Sequence, residues 1–367
     1  MDFGFSEEQN ILRDQVQRFV KDRCPMTRVR EIIKKENKFD TELWKEISDL
    51  GWLALSIPEE YGGLGLGWVD LTVVLEETAS GLCPLPIASQ SLGAAAVLLC
   101  GDEKQKTTWL PEIAQGKVVS TLALYDDPNW ISSEAIFCEA KETKKGFDLQ
   151  GIKPFVESAT LSDWLIIALR SAQGMVLARV EKDQCDVRFE PTMDETKITG
   201  RVDLNGLHLD HFDCMALSNE NLSALTNYGA VAVTAEMVGA AQSLLDLTSN
   251  YTKERIQFGK PIGQYQGVKH RLAEMFVDIE SFRSLCYYAA WAVDDSPEEV
   301  TRAVSLAKGY ASDAFAQIGI DGVGLHGAIG FTAEYDAQLY LKRSKWARPM
   351  YGDSNFHLDR LANLGGL

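Results

Sequence analysis

The sequence lacks paired cysteines. Its seven, Cys24, Cys83, Cys100, Cys138, Cys185, Cys214 and Cys286, are odd in number, scattered through the chain and form no Cys-x-x-Cys pair. That spacing argues against a disulfide framework and against a metal site, and it predicts a cytoplasmic protein whose reduced thiols are mostly core filler. Basic charge is also short. Lys and Arg number 36 against 53 Asp and Glu, a formal charge of −17, and so acidic a surface disfavours nucleic acid and anionic membranes. An anionic ligand then needs basic residues gathered locally. No apolar run of transmembrane length is evident. The start, MDFGFSEEQNILRDQV, has neither the basic n-region nor the apolar h-region of a secretory signal and is too acidic for a transit peptide. Internal repeats and low-complexity tracts are missing too. One glycine-rich stretch, LALSIPEEYGGLGLG, lacks the strand-loop-helix frame and the Gly-Lys-Ser/Thr of a phosphate loop. Its Pro58, Gly62, Gly63, Gly65 and Gly67 mark an irregular loop.

What is present is ordinary folding material. At 367 residues and 46% hydrophobic content, the chain exceeds one ordinary core and predicts two or three domains, or one large multi-lobed unit. Residues 1–116 read as helical: Ser6-Glu7-Glu8 is a helix-start signal before Ile11, Leu12, Val16 and Phe19 at amphipathic spacing. Residues 117–220 change to period two, in VVSTLAL, FDLQGIKPFV, DWLIIALR, GMVLARV and KITGRVDL, which predicts a small antiparallel sheet domain. Helical periodicity returns over 221–367, with alanine and glycine at contact positions as in a four-helix bundle. The fold class expected is α+β, mostly α: an N-terminal helical domain, a middle antiparallel β domain and a C-terminal four-helix bundle.

Residues 255–275, RIQFGKPIGQYQGVKHRLAEM, carry the clearest chemistry. They predict a helix, a tight turn and a second helix, with polar groups gathered at the turn. Arg255 offers a planar fork of donors suited to phosphate oxygens, and Gly259 permits close backbone approach. Contacts of that kind contribute about 1.5–3 kcal/mol each. Phe258 either lies against a ring system or anchors the turn in the core.

Four segments in order, FSEEQNILRDQVQRF, LGWLALSIPEEYGGLG, RIQFGKPIGQYQGVKHRLAEM and LHGAIGFTAEYDAQLYLKR, resemble the acyl-CoA dehydrogenase family over nearly the whole chain. The resemblance implies an FAD flavoprotein of lipid β-oxidation that dehydrogenates an acyl-CoA thioester at its α and β carbons. It implies electron-transfer flavoprotein as the acceptor, and a homo- or hetero-oligomer, dimer or tetramer, because the family's FAD is partly held by a neighbouring subunit. By the same resemblance, Arg255, Gln257 and Phe258 match the segment that meets the diphosphate and adenosine half of FAD, and Gln266 matches the glutamine of that motif. Gly327 and Gly330 fall in a second FAD-contacting segment, where Gly324 stands in place of a common glutamine and Ala328 in place of a common glycine. His326 there reads as a packing or turn histidine. In the β domain, LALYDDPNWISSEA replaces the usual Thr-Glu-Pro-Gly-x-Gly-Ser-Asp stretch. Lys153-Pro154-Phe155-Val156-Glu157-Ser158 stands at the usual Lys-x-Trp-Ile-Thr, with Phe155 and Val156 as neighbours of the flavin ring.

The reaction needs a positioned base, because an α C–H is a weak acid, and a desolvated carboxylate suits the task. Members carry that glutamate in a Tyr-Glu-Gly segment; here the chain reads Met350-Tyr351-Gly352-Asp353-Ser354. The ungapped position is Gly352, and the nearest carboxylate, Asp353, is displaced by a Cα step of about 3.8 Å. The alternative family position falls at Gly229 or Ala230, neither acidic, and Glu236 reads as serving helix packing or a polar contact. Two readings compete. Either Asp353 is the base, or the chain is the non-catalytic, FAD-site-completing subunit of a heteromer resembling those of steroid side-chain and dicarboxylic acid breakdown, whose endings GDSNFHLDRLANLGG resembles. An oxygen-using flavoenzyme of the same fold is a further alternative. On residue type alone Asp353 is a loop carboxylate or helix N-cap.

Overall fold

The computed structural model describes residues 5–127 and 130–366; residues 1–4 of the start, Pro128 and Asn129 of the LALYDDPNWISSEA stretch, and residue 367 lie outside it. The chain opens with α1 (Glu7–Arg23), α2 (Met26–Ile32), α3 (Thr41–Asp49), α4 (Trp68–Ser80), α5 (Ile87–Cys100) and α6 (Glu103–Ala114). Among the described residues the strands that follow are β1 (Ser120–Ala123), β2 (Glu139–Glu142), β3 (Gly146–Gln150), β4 (Ile152–Glu157), β5 (Trp164–Ser171), β6 (Gly174–Glu181), β7 (Asp186–Glu190), β8 (Thr199–Asp203), β9 (His208–Asp210) and β10 (Cys214–Leu217). Then come α7 (Asn219–Glu254), a short hairpin of β11 (Ile256–Gln257) and β12 (Lys260–Pro261), and α8 (Gln266–Asp295), α9 (Val300–His326), α10 (Ala337–Ala347) and α11 (Ser354–Leu364). This is the expected order of helices, sheet and helices. Compactness groups the elements differently from the chain order: one unit draws on the described parts of 1–30, 68–83 and 230–367, the other on 31–67 and 84–229.

In the helical unit, α1 starts where the sequence signals it. The Ser6 hydroxyl accepts from the Gln9 N–H and the Gln9 side chain accepts from the Ser6 N–H, both at 3.1 Å, a reciprocal capping box. Val16, Phe19 and Val20 are buried, while Ile11 faces solvent. Small residues let the long helices touch. A Cβ on Gly239 of α7 would lie 1.8 Å from the Glu76 carbonyl of α4, and one on Gly322 of α9 would meet Leu244 of α7 at 2.7 Å. Buried Glu76 ties α4 to α8, accepting from the Tyr287 hydroxyl at 2.7 Å and pairing with Arg283. The sequence pattern suggested no membrane-length apolar run, yet α7 is long and apolar enough to cross a bilayer; 78% of its most apolar window is buried inside the protein, so it is a core helix.

The second unit is built on β5, whose run Leu165–Ala168 is wholly buried. One sheet has the order β10-β6-β5-β2-β3-β9, with β1 also on β5; a second has β4-β8-β7. Most pairs are antiparallel as expected. Two are not: β1 runs parallel to β5 from Ser120↔Trp164 to Ala123↔Ile167, and β2 meets it in parallel at Glu139↔Arg170. Parallel neighbours need a long crossover, and the β2–β4 stretch supplies it. β1 and β2 therefore lie end to end along β5, and the chain leaves the sheet between them. The glycine-rich stretch of this unit is an irregular loop, as expected. The amides of Gly62, Gly63, Leu64, Gly65 and Leu66 donate to Glu59, Pro58, Ala54, Ile57 and Leu55 carbonyls at 2.8–3.1 Å, so none is free for a phosphate.

Candidate functional site

The Arg255 segment folds as a hairpin inserted between α7 and α8. Ile256 pairs with Pro261 and Gln257 with Lys260, and the two turn residues, Phe258 and Gly259, have φ of 51° and 83°. Positive φ at both central positions is the requirement of a type I′ turn, whose twist matches that of the strands. A left-handed phenylalanine costs about 1 kcal/mol or more, and what it achieves here is exposure: Phe258 is 92% accessible. Of the two roles open to it, it presents its ring rather than anchoring the turn. The Tyr265 hydroxyl holds the turn, donating to the Gln257 and Phe258 carbonyls at 3.0 and 3.3 Å, and the Lys260 ammonium sits 4.3 Å over the Tyr265 ring. Arg255, Gln257, Phe258 and Gln266, the first residue of α8, thus share one exposed edge.

His326 ends α9 and is buried, its Nδ1 2.6 Å from the Gly322 carbonyl and its ring between those of Tyr251 and Tyr335. Burial pushes its pKa below the usual value. It is a packing residue, as expected. Gly327 follows at φ 65° with nothing within 4 Å of where a Cβ would stand, whereas a Cβ on Gly330 would strike the Val323 carbonyl at 2.7 Å. Gly327 is the open one; Gly330 serves packing.

In the β unit, Phe155 and Val156 part company. The β4–β8 register jumps between Lys153↔Val202 and Val156↔Gly200, so Pro154 and Phe155 oppose one residue of β8. Such a bulge re-aims side chains. Phe155, at φ 51°, is 49% exposed, while Val156, at 4%, joins the β core with Val202 and Leu204. Val156 therefore corrects the paired reading: it stands behind the surface that Phe155 forms. The freed Phe155 N–H donates to the Glu190 carboxylate at 2.8 Å. Beneath it, buried Lys153 donates to the Leu124 carbonyl at 3.0 Å and pairs with Asp126 at 2.9 Å, fixing the segment that leaves the sheet after β1. Burial lowers the Lys153 pKa, with Asp126 opposing.

Asp353 is the N-cap of α11, its carboxylate accepting from the Phe356 N–H at 3.1 Å. The loop before it carries Tyr351 at φ 54° and Gly352 at φ 98°. A Cβ at residue 352 would lie 2.3 Å from the Phe356 ring and 3.0 Å from His357 Nε2. Fully buried Lys308 pins the loop, donating to Ser312 Oγ, the Arg348 carbonyl and the Gly352 carbonyl at 2.8–2.9 Å. Burial pulls its pKa down to about 7, with Asp353 drawing it back up. His357 Nε2 lies 3.1 Å from the Tyr351 carbonyl and Nδ1 3.3 Å from Ser305 Oγ; burial, then Lys308, pushes its pKa down to about 3. The structure gives Asp353 a capping task through one carboxylate oxygen, Oδ1. Gly229, Ala230 and Glu236 all lie within α7, where Ala230 and Glu236 are buried.

Sequence alone does not point to Tyr265 or Glu190, and it marks His357 only as the histidine of the GDSNFHLDRLANLGG ending. Lys308 leaves one trace, a lysine inside the small-residue run AVSLAKGYAS. Together the exposed guanidinium, the presented aromatic and the open backbone at Gly259 and Gly327 fit a ligand with a diphosphate and flat rings, as FAD has.

The family model "Acyl-CoA dehydrogenase, N-terminal domain" matches residues 6–117, and "Acyl-CoA dehydrogenase, C-terminal domain" matches residues 221–364. The acyl-CoA dehydrogenase IpdE2 of Mycolicibacterium smegmatis is 30% identical over 97% of this chain and 98% of its own. Among solved structures, a variant of the Tcur3481-Tcur3483 steroid ACAD is 28% identical with a TM-score of 0.88, covering 98% of each chain. The ChsE4-ChsE5 complex from Mycobacterium tuberculosis is 25% identical with a TM-score of 0.90, over 99% of this chain and 98% of the other.

Proposed function

The chain belongs to the acyl-CoA dehydrogenase family, and we propose that it is the half of a two-chain enzyme that completes the FAD site while a partner chain supplies the base. The activity is FAD-dependent α,β-dehydrogenation of an acyl-CoA thioester. One observation carries the division of labour. Residue 352, where the family glutamate falls, has a left-handed backbone, and a Cβ there would press on the Phe356 ring at 2.3 Å, so a side chain at this place is strained and requires the ring to move. Asp353 is committed as a cap, and the alternative positions on α7 hold glycine and alanine.

FAD, when bound, supplies the acceptor for the hydride leaving the β carbon. In the helical unit, Arg255 would meet the diphosphate of FAD, Gln257 and Gln266 would add hydrogen bonds, Phe258 would cover the adenosine half and Gly327 would let its backbone come close, this segment reaching FAD across a subunit interface as in the family. In the β unit, Phe155 would stand against the flavin ring and help keep water from it. A bulky acyl group of steroid type is the substrate class that the similarity to a steroid ACAD supports. Electron-transfer flavoprotein is the proposed acceptor, and the seven free cysteines support a cytoplasmic setting.

Flavin bleaching by acyl-CoA tests the reading. The isolated chain should bleach little. Adding a family member that carries the Tyr-Glu-Gly glutamate should restore bleaching, and that activity should survive Asp353→Asn. Bleaching by the isolated chain that Asp353→Asn abolishes, a loss of about 10²–10⁴-fold for a removed base, would overturn the proposal in favour of Asp353. Flavin reoxidation by oxygen at the pace of turnover would instead favour an oxygen-using enzyme.

A further inference from the structure

Glu190 has no place in the chemistry derived so far, yet its carboxylate is spent on a single backbone amide of the flavin-facing surface. β7, which it ends, is separated from β4 by β8, and Glu190 sits opposite Thr199, whose hydroxyl donates to the Glu190 carbonyl at 2.6 Å. From there the side chain reaches the Phe155 N–H at 2.8 Å. That amide is available because the bulge leaves Pro154 and Phe155 without ladder partners, and proline has no N–H to offer.

Nothing in phenylalanine favours the left-handed region that Phe155 occupies at φ 51°. An unbulged β4 would send residue 155 along the ordinary alternation and reset the register of Val156, which is fixed in the core. The bulge is therefore held at both ends: Val156 by burial, and Phe155 by a charge-assisted hydrogen bond from a strand two places away.

We infer that Glu190 is a positioning residue: by fixing the Phe155 amide it sets the angle at which the Phe155 ring meets the flavin. This rests on the proposed placement of Phe155 against that ring. Glu190 itself touches neither cofactor nor substrate.

The visible absorption and circular dichroism of bound FAD in the assembled holoenzyme report the ring's surroundings directly. Glu190→Ala should shift the long-wavelength flavin band and change its dichroism, and Glu190→Gln, which keeps an acceptor oxygen, should restore both. If the alanine variant retains no flavin, Glu190→Asp, whose carboxylate is drawn back by one methylene, should give the same shift. In a Phe155→Ala background, Glu190→Ala should add nothing. A flavin spectrum indifferent to Glu190→Ala and Glu190→Asp, while Phe155→Ala alters it, overturns this inference and leaves the placement of Phe155 standing. A spectrum indifferent to Phe155→Ala removes the placement and the inference together. Additive shifts in the double variant also overturn it, since Glu190 would then act on the flavin by another route.

Discussion

Two turns in the helical unit are built from the same pair of residues, an aromatic followed by glycine, both at positive φ, and they are put to opposite uses. Phe258-Gly259 stands in the open: the ring faces solvent and nothing lies within 4 Å of where a glycine side chain would begin. Tyr351-Gly352 is packed shut, with the Phe356 ring where a side chain would be and Lys308 and His357 gripping the carbonyls on either side of the turn. A left-handed aromatic-glycine pair thus specifies only a reversal of the chain. Whether that reversal presents a ring or seals a loop depends on residues far away in sequence.

The contrast breaks first under substitution of the glycines. Gly352→Ala adds left-handed strain of about 1–2 kcal/mol to overpacking of about 1–3 kcal/mol, so a loss of about 2–5 kcal/mol is expected. Gly259→Ala incurs only the strain, about 1–2 kcal/mol. Urea midpoints of the two variants measure the difference, and equal losses would mean that residue 352 is not crowded.

Acid comes next, and it should act on the sealed turn alone. The folded-state pKa of His357, about 3, lies below the ordinary 6.5, so between those values the folded chain binds fewer protons than the unfolded one. The stability this provides is complete above pH 6.5 and is lost as pH falls toward 3. His357→Gln removes the titrating group, and the drop in stability between pH 7 and pH 4 should shrink by on the order of 2–3 kcal/mol relative to the parent. An unchanged acid limb would show that His357 takes up its proton without cost.

The open turn responds in binding rather than folding. Arg255→Ala should weaken FAD retention about ten- to a hundredfold, the equivalent of roughly 1.5–3 kcal/mol, while leaving the unfolding midpoint where it was. Flavin content after dialysis and equilibrium titration check it. Equal affinity in variant and parent would sink the assignment of Arg255 to the diphosphate.

Local signals in the sequence were readable where their causes are local. Ser6 and Gln9 cap α1 because their spacing alone makes the box possible, and RIQFGKPIG announces its turn because Phe258-Gly259-Lys260-Pro261 cannot continue a helix. The glycine-rich loop near Pro58 was likewise legible as a loop. What could not be read depends on partners distant in sequence. The parallel pairing of β1 with β5 is decided by a crossover, and alternation along either strand looks the same in both senses. Phe155 and Val156 are adjacent and both apolar, yet a bulge against β8 sends one outward and one into the core. The capping task of Asp353 was legible as a possibility; the Phe356 ring beside Gly352 was not, since it arises from how α11 folds back on the loop.

That ring also ties two positions together. A side chain introduced at residue 352 would meet the Phe356 ring, so it is accommodated only if that ring moves or residue 356 becomes smaller, and the two positions vary as a pair.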